Sequence, residues 1–195
     1  TNGIRIAKDN NFAEALNQSY KRGKVQIYLQ FDGPEEAGQK ILRGADYRKI
    51  KREAIKRLGS FEGGGLLVTL AMTVIPENLD HLWATVDCGL QFPHVRGVAF
   101  QPAFTSGRAS TTAHPLNTAD IILGLVAQSN EVLSFDNFTP LPCGDPNCAT
   151  IGYLLKTEDG IRSMGEFINY EYVQGFLQNR VNYNLQDLAQ CGCDS

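Results

Sequence analysis

Three segments of the chain alternate apolar and polar side chains, and the rest of the sequence is arranged around them. Segment 25–32 places Val, Ile, Leu and Phe at every second position. Side chains alternate between the two faces of a β-strand, so this pattern predicts a strand with one apolar face. Segments 66–75 and 95–104 repeat the arrangement. The polar side chains that fall on the opposite faces are Gln26, Tyr28, Gln30, Asp32, Thr69, Thr73 and Gln101.

Helical periodicity fills the intervals between these strands. Apolar residues recur at helical spacing between 12 and 20, between 46 and 58, and between 78 and 89. Asp9 or Asn10 is the expected N-cap of the first of these helices. Alternating strands and helices with connections of this length predict an α/β fold with right-handed crossovers and a parallel sheet or barrel over residues 1–105. Residues 106–195 are less periodic. They are expected to form a C-terminal extension of mainly helical and loop structure. Its expected helices are one capped by Thr118 and two less periodic stretches at roughly 153–155 and 164–179.

The polar strand faces predict a ligand site. A closed barrel of parallel strands normally fills its interior with branched apolar side chains, whereas this interior is polar. Asp32, Thr73 and Gln101 lie at the carboxyl ends of the three predicted strands, where such folds place their sites. The alternative interpretation is an internal hydrogen-bond network that satisfies buried polar groups.

Composition excludes few classes of protein. The 195 residues are 43% apolar and 20% charged, with a formal net charge of −3. No apolar run approaches the ~20 residues that span a bilayer. The predicted helix at 46–58 carries an outer basic face, which we interpret as solvated. Aromatic residues are not interleaved with it, so no nucleic-acid partner is expected. This face comprises Arg48, Lys49, Lys51, Arg52, Lys56 and Arg57.

Five cysteines predict a metal site. Their odd number and tight spacing argue against a simple disulfide framework and, without a secretion signal, favour a reducing, cytoplasmic compartment. Cys143 with Cys148, and Cys191 with Cys193, bring four thiolates from two loops, a set that suits zinc or an iron–sulfur cluster. Free or partly disulfide-linked thiols are the alternative. Cys88 lies late in a predicted helix and is expected to be a buried small hydrophobe.

Several segments together resemble the radical S-adenosylmethionine superfamily. The similar branch is the iron–sulfur oxidoreductases related to tetraether lipid synthase and the methanogen pterin methylase, with the molybdenum-cofactor cyclase as looser kin. The segments are Thr1-Asn2-Gly3 followed by an Ile-Arg-Ile strand end, Leu29-Gln30-Phe31-Asp32-Gly33, Ile41-Leu42-Arg43-Gly44, Val68-Thr69-Leu70 with Thr73-Val74, the Asn78 and Asp80-His81 turn, Val95 to Pro102, Ser106-Gly107-Arg108, and Phe138 to Cys148.

This resemblance implies the C-terminal half of a partial TIM-like (β/α) barrel. The C-x3-C-x2-C loop that ligates the family's cluster does not occur in the chain. The parent protein would be an enzyme that uses S-adenosylmethionine and an iron–sulfur cluster on a small-molecule substrate. The fragment would be inactive alone, would contain no catalytic residue, and would have the missing N-terminal half as its partner.

The resemblance also implies ligand-facing roles for Gln30, Asp32, Thr69 and Gln101, to which the strand pattern adds Thr73. Relatives are thought to carry auxiliary clusters on C-terminal cysteines, which Cys143 and Cys148 fit. The competing hypothesis is a non-catalytic α/β binding module with a structural zinc. A half barrel leaves a strand edge exposed, so we expect the isolated chain to dimerise.

Overall fold

The computed structural model describes residues 1–22, 26–103, 115–140 and 149–170. The chain divides into two compact units, Thr1–Asn130 and Glu131–Ser195. The first unit therefore includes the helix at 118–128, which the sequence pattern assigned to the C-terminal extension. The predicted functional division at 105/106 stays a prediction.

A three-stranded parallel sheet forms the centre of the first unit, as the strand–helix alternation predicted. Its strands are β1 (Ile27–Gln30), β2 (Val68–Val74) and β3 (Val95–Pro102), in the order β1-β2-β3. Each is shorter than the segment predicted from the sequence. Among the described residues the three strands form an open sheet, so the α/β class and the parallel strands are confirmed and the barrel remains a proposal.

Helices connect the strands on the long crossovers that parallel pairing requires. None of the helices in the described ranges is both long and apolar enough to cross a bilayer. The helices of the first unit are α1 (Ile4–Lys8), α2 (Asn10–Arg22), α3 (Glu36–Arg43), α4 (Arg48–Gly59), a 3₁₀ helix (Pro76–His81), α5 (Leu82–Leu90) and α6 (Thr118–Gln128).

The hydrophobic core lies on the apolar face of the sheet. Side chains from β1 and β2 pack there against the inner face of α4 and against Cys88 of α5. Cys88 is buried, as expected, and burial raises the pKa of its thiol. The central core residues are Ile6, Ala7, Ile27, Leu29, Phe31, Ala54, Ile55, Leu58, Leu66, Val68 and Leu70.

The segment after Gly3 is helical, so the strand end expected at Ile4–Ile6 is wrong. The residue that pairs with β1 is Thr1 instead. The Thr1 amino group donates to the Tyr28 carbonyl at 2.8 Å, and the Gln30 amide donates to the Thr1 carbonyl at 2.9 Å. These two bonds are a parallel pairing of Thr1 beside β1. Gly3, at φ +77°, then turns the chain into α1.

Lys51 does not belong to the outer basic face of α4. It is 2% exposed, and its Nζ donates to the Asn2 carbonyl at 2.8 Å. Helical spacing explains the error, because Lys51 lies one turn before Ala54 and Ile55 and two turns before Leu58. Lys51 therefore follows the same stripe as the core residues of α4.

The second unit contains short antiparallel strands in its described part. Its elements are β4 (Phe138–Pro140), β5 (Thr150–Gly152), β6 (Leu154–Thr157), β7 (Gly160–Ser163) and 3₁₀ turns at Phe135–Asn137 and Met164–Glu166. Strand β4 pairs with β5, and β6 pairs with β7.

The helix expected near 153–155 is wrong, since Leu154 and Leu155 belong to a hairpin strand. The hairpin turns at Glu158-Asp159, and Gly160 follows at φ +134°. The loop therefore has two residues, which is the commonest length for a hairpin connection. The helix expected over 164–179 begins as a 3₁₀ turn, and its remainder lies outside the described residues.

Candidate functional site

The strand register aligns the polar faces of the three strands into rows. Tyr28, Thr69 and Gly97 are direct neighbours across the sheet, and Thr73 is the neighbour of Gln101. The side chains of one row project from the same face of a sheet. The polar face predicted from the alternation is therefore a continuous surface, with Tyr28 45% exposed on it. The intervening row is Gln30, Ala71 and Ala99.

Asp32 follows β1 and ends the polar face in a buried ion pair. Its side chain is 1% exposed, and its backbone has the left-handed φ of +60° that Asp tolerates better than most residues. Arg43 donates from Nε to Asp32 Oδ2 at 2.7 Å and from Nη2 to Oδ1 at 2.9 Å. The Thr73 amide donates to the same Oδ1 at 3.2 Å. The carboxylate thus ties the end of β1 to α3 and β2.

Arg43 is the centre of this cluster, and it was missed as a site residue. Its Nη2 also donates to Thr73 Oγ1 at 3.1 Å. The Gln30 amide is assigned with its oxygen toward the guanidinium, where it accepts from Nη2 at 2.9 Å and from Nη1 at 3.1 Å. A buried carboxylate at a strand end requires a cationic partner. A basic residue in the last turn of the helix that follows was the sequence signal for that partner.

Two buried amides hold the strand ends in place. Gln39, fully buried in α3, donates to the carbonyls of Phe31 and Gly33 and accepts from the Tyr47 amide at 3.1 Å. Asn78 accepts from the Ile75 amide at 2.8 Å and donates to the Thr73 carbonyl at 2.9 Å. Both side chains replace backbone partners that the loops lack, which restricts movement of the cluster.

The five predicted ligand-facing residues share the polar face, but only three of them meet. Gln30, Asp32 and Thr73 surround Arg43, as described above. Thr69 is buried further back along the sheet, and its hydroxyl accepts from Gln26 Nε2 at 2.7 Å. Gln101 lies beside Thr73 in the register with an exposed side chain. Their roles toward a ligand stay predictions.

Within the described part of the chain, two cavities lie near the end of β1. One of about 170 Å³ is lined by Asn2, Ile4, Gln30, Arg43, Tyr47 and Lys51. The pKa of Lys51 is lowered to about 8 there, chiefly by burial; the Asp32 carboxylate opposes this shift, and the Arg43 guanidinium adds to it. The other, of about 350 Å³, is lined by Phe31, Gly33, Pro34, Asp46, Arg48, Lys49 and Arg52.

The described residues contain no group of side chains that could ligate a metal ion. Within residues 1–22, 26–103, 115–140 and 149–170, no three His, Cys, Asp or Glu side chains are grouped so that they could hold a metal ion. The four predicted cysteine ligands, Cys143, Cys148, Cys191 and Cys193, lie outside those ranges.

The polar groups on the described face of the sheet are chemically compatible with S-adenosylmethionine. The polar face offers amide and hydroxyl groups at Gln30 and Thr73, with the cations Arg43 and Lys51 beside them. Ala71, Gly97 and Ala99 are the small residues on the same face. This donor set suits a ligand that combines a ring system, hydroxyl groups and a carboxylate.

No protein-family model matches the chain. One curated protein that is similar to it is a 7,8-dihydro-6-hydroxymethylpterin dimethyltransferase of Methanocaldococcus jannaschii, 27% identical over 207 aligned residues. The alignment covers 91% of this chain and 38% of the relative, so the chain spans well under half of that protein's length. A methanogen pterin methylase is the kind of enzyme that the sequence segments resemble. This distant similarity therefore supports the radical S-adenosylmethionine superfamily.

Proposed function

We propose that this chain is part of a radical S-adenosylmethionine enzyme and supplies one wall of the site that holds the cofactor and a small-molecule substrate. The observation that carries the proposal is the continuous polar face of β1–β3, which ends in the cluster of Gln30, Asp32, Arg43 and Thr73. In parallel α/β folds, ligands bind at the carboxyl ends of the strands. The distant pterin dimethyltransferase relative supports the same assignment.

In this proposal the residues of the wall bind and orient the ligand. S-adenosylmethionine supplies the radical chemistry in such enzymes. The Gln30 amide and the Thr73 hydroxyl hydrogen-bond the ligand, Thr69 and Gln101 contact it further along the face, and the small residues between them admit its ring. Asp32 is a positioning residue, because its carboxylate is already bonded to Arg43 and to the Thr73 amide.

The site is completed by the remainder of the parent protein. Thr1 pairs with β1 as the last residue of a further parallel strand would. An additional half of the barrel on that side is the expected partner, and it would carry the C-x3-C-x2-C loop that this chain lacks. We accordingly propose that the chain alone does not cleave S-adenosylmethionine.

The four C-terminal cysteines are proposed to hold an auxiliary iron–sulfur cluster. Thiolates at Cys143, Cys148, Cys191 and Cys193 suit such a cluster, and they also suit zinc. Anaerobic reconstitution followed by iron and zinc analysis separates the two metals. One zinc per chain without iron would remove the cluster from the proposal and would favour a binding module with a structural zinc.

The parent activity is tested on the full-length gene product. Anaerobic incubation with S-adenosylmethionine and a reductant is expected to release 5′-deoxyadenosine. Gln30→Ala and Thr73→Val should each weaken cofactor binding about five- to thirtyfold, since each removes a hydrogen bond of about 1–2 kcal/mol from a desolvated site. Lys56→Ala, on the exposed side of α4, is the matched control. A full-length gene without a C-x3-C-x2-C loop would refute the assignment.

A further inference from the structure

The cavity beside α4 has an unusual distribution of charge. Two of its six lining residues, Arg43 and Lys51, are cations, and none is an aspartate or glutamate. Lys51 is 2% exposed, and the hydrogen bond from its Nζ to Asn2 uses one of the three donors of the ammonium. A buried ammonium that faces a cavity without a carboxylate in its lining is costly unless an anion joins it.

The nearest carboxylate is already bonded elsewhere. Asp32 acts on Lys51 through space, but both of its oxygens accept from Arg43, and Oδ1 also accepts from the Thr73 amide. Arg43 and Asp32 therefore offset each other, which leaves the charge of Lys51 in excess. The other polar groups of the lining, on Asn2, Gln30 and Tyr47, carry no formal charge at neutral pH.

We propose that this cavity is an anion subsite, in which Lys51 and Arg43 bind one carboxylate or phosphate group of a small ligand. The cavity, of about 170 Å³, is open to solvent on one side, so a carboxylate or phosphate group fits beside Lys51 and Arg43 while the rest of its ligand extends outward. The subsite rests on the charges and burial of this chain alone. An experiment can therefore refute the anion subsite without refuting the proposed radical chemistry, and the reverse.

Protonation of Lys51 controls this subsite. The groups that face its amine are Arg43 on α3, Asp32 after β1 and Tyr47 before α4, together with the Asn2 carbonyl of the first turn. Burial lowers the pKa of Lys51 to about 8, so the amine is mostly charged at pH 7 and mostly neutral at pH 9. Anion affinity is expected to fall about tenfold in total as the pH rises from 7 through the Lys51 titration, because the neutral amine attracts the anion less than the ammonium does.

The experiment follows Lys51 directly in the intact chain. Lysine labelled with ¹³C at the ε-carbon reports its titration by NMR, with acetate, inorganic phosphate or no added anion. Saturation with an anion is expected to raise the pKa of Lys51 by about one unit, as linkage requires for an anion that prefers the charged amine tenfold. If the only role of Lys51 is its hydrogen bond to the Asn2 carbonyl, added anions will not change the pKa of Lys51.

The two anions identify the ligand class. A shift with acetate alone assigns the subsite to a carboxylate, and a larger shift with phosphate assigns it to a phosphate group. Lys51→Met should weaken anion binding measured by calorimetry by about tenfold, whereas Lys56→Met on the exposed side of the same helix should leave it unchanged. The subsite does not exist if neither anion, at concentrations up to about 100 mM near neutral pH, shifts the Lys51 titration. A dissociation constant above about 100 mM would be too weak to hold a ligand group.

Discussion

At the scale of single residues, the candidate site depends on Arg43. A planar guanidinium matches a carboxylate with two parallel hydrogen bonds, which lysine cannot reproduce. Arg43 uses this geometry on the buried Asp32 and bonds Thr73 and Gln30 with its remaining donors. The side chains of Gln30, Asp32 and Thr73 thus adopt one arrangement because a single cation connects them.

Removing Arg43 should destabilise the fold strongly. Arg43→Met leaves the Asp32 carboxylate buried and unpaired, and we expect the free energy of unfolding to fall by about 3 kcal/mol. Arg48→Met is the control, since Arg48 forms a similar two-bonded pair with Asp46 in solvent and its loss should change stability little. Urea denaturation measures both. Equal effects of the two substitutions would contradict the buried-pair argument.

The titration of Lys51 should make the free energy of unfolding increase with pH in mildly alkaline solution. Its pKa is lowered by burial to about 8 in the folded chain, from an ordinary value of 10.5. Between these two values the unfolded chain binds more protons than the folded chain, so the free energy of unfolding increases with pH. Below pH 8 the amine is charged in both states, and the penalty of burying it is constant.

The comparison with Lys51→Met isolates this contribution. From pH 8 to 10.5 the wild-type chain should gain on the order of 3 kcal/mol relative to the variant, which has no amine to titrate at this position. Denaturant titrations at several pH values, without added anions, measure the difference. Parallel pH profiles for the two proteins would mean that the Lys51 amine titrates as it does in the unfolded chain.

At the scale of elements, short signals at helix and strand ends decide where each element stops. The cap of α6 is Asn117, one residue before the expected Thr118, and its Oδ1 accepts from the amides of Ala119 and Asp120. Asp9 accepts from the Phe12 amide at the start of α2, as the capping pattern predicted. Both ends follow from local chemistry, which is why the sequence located them to within a residue.

The glycine turn between α4 and β2 depends most on Gly65. Gly63, Gly64 and Gly65 all have φ near +80 to +90°, but a Cβ at Gly65 would lie 2.6 Å from the Leu58 carbonyl oxygen. Backbone atoms have little freedom to move aside. Gly65 is therefore required for steric reasons in addition to its conformation.

Alanine substitutions separate these two reasons. Gly64→Ala has open space around it and should cost about 1 kcal/mol for its left-handed backbone. Gly65→Ala should cost at least about 2 kcal/mol, because the clash with Leu58 adds to the same backbone strain. Thermal and urea unfolding compare the two variants. Equal losses would show that the turn moves to accept the Cβ.

At the scale of the whole molecule, the sheet of the first unit is incomplete. Strand β3 is the last strand on its side of the sheet among the described residues, and Thr1 supplies a single residue of pairing beside β1. Unpaired backbone groups at a strand edge attract another strand. The polar face of the sheet, including Tyr28 and Gln101, is also exposed and available to contact another protein segment.

The isolated chain should therefore self-associate. We expect light scattering coupled to size exclusion to show a dimer whose fraction grows with protein concentration, because strand edges of two copies pair. The full-length parent, in which further strands cover the β1 edge, is the natural comparison and should associate less. A strictly monomeric isolated chain at millimolar concentration would contradict this prediction.

The sequence by itself determined the parallel sheet and the composition of its two faces. Strand alternation and helix periodicity depend on local spacing, so they could be read without knowledge of tertiary packing. The register, the Arg43–Asp32 pair and the burial of Lys51 were decided by tertiary structure, since each joins residues from different elements. Helical spacing placed Lys51 on the core stripe, yet its charge argued for solvent. Only the packed α4, with the Asn2 carbonyl opposite the amine, resolved that conflict.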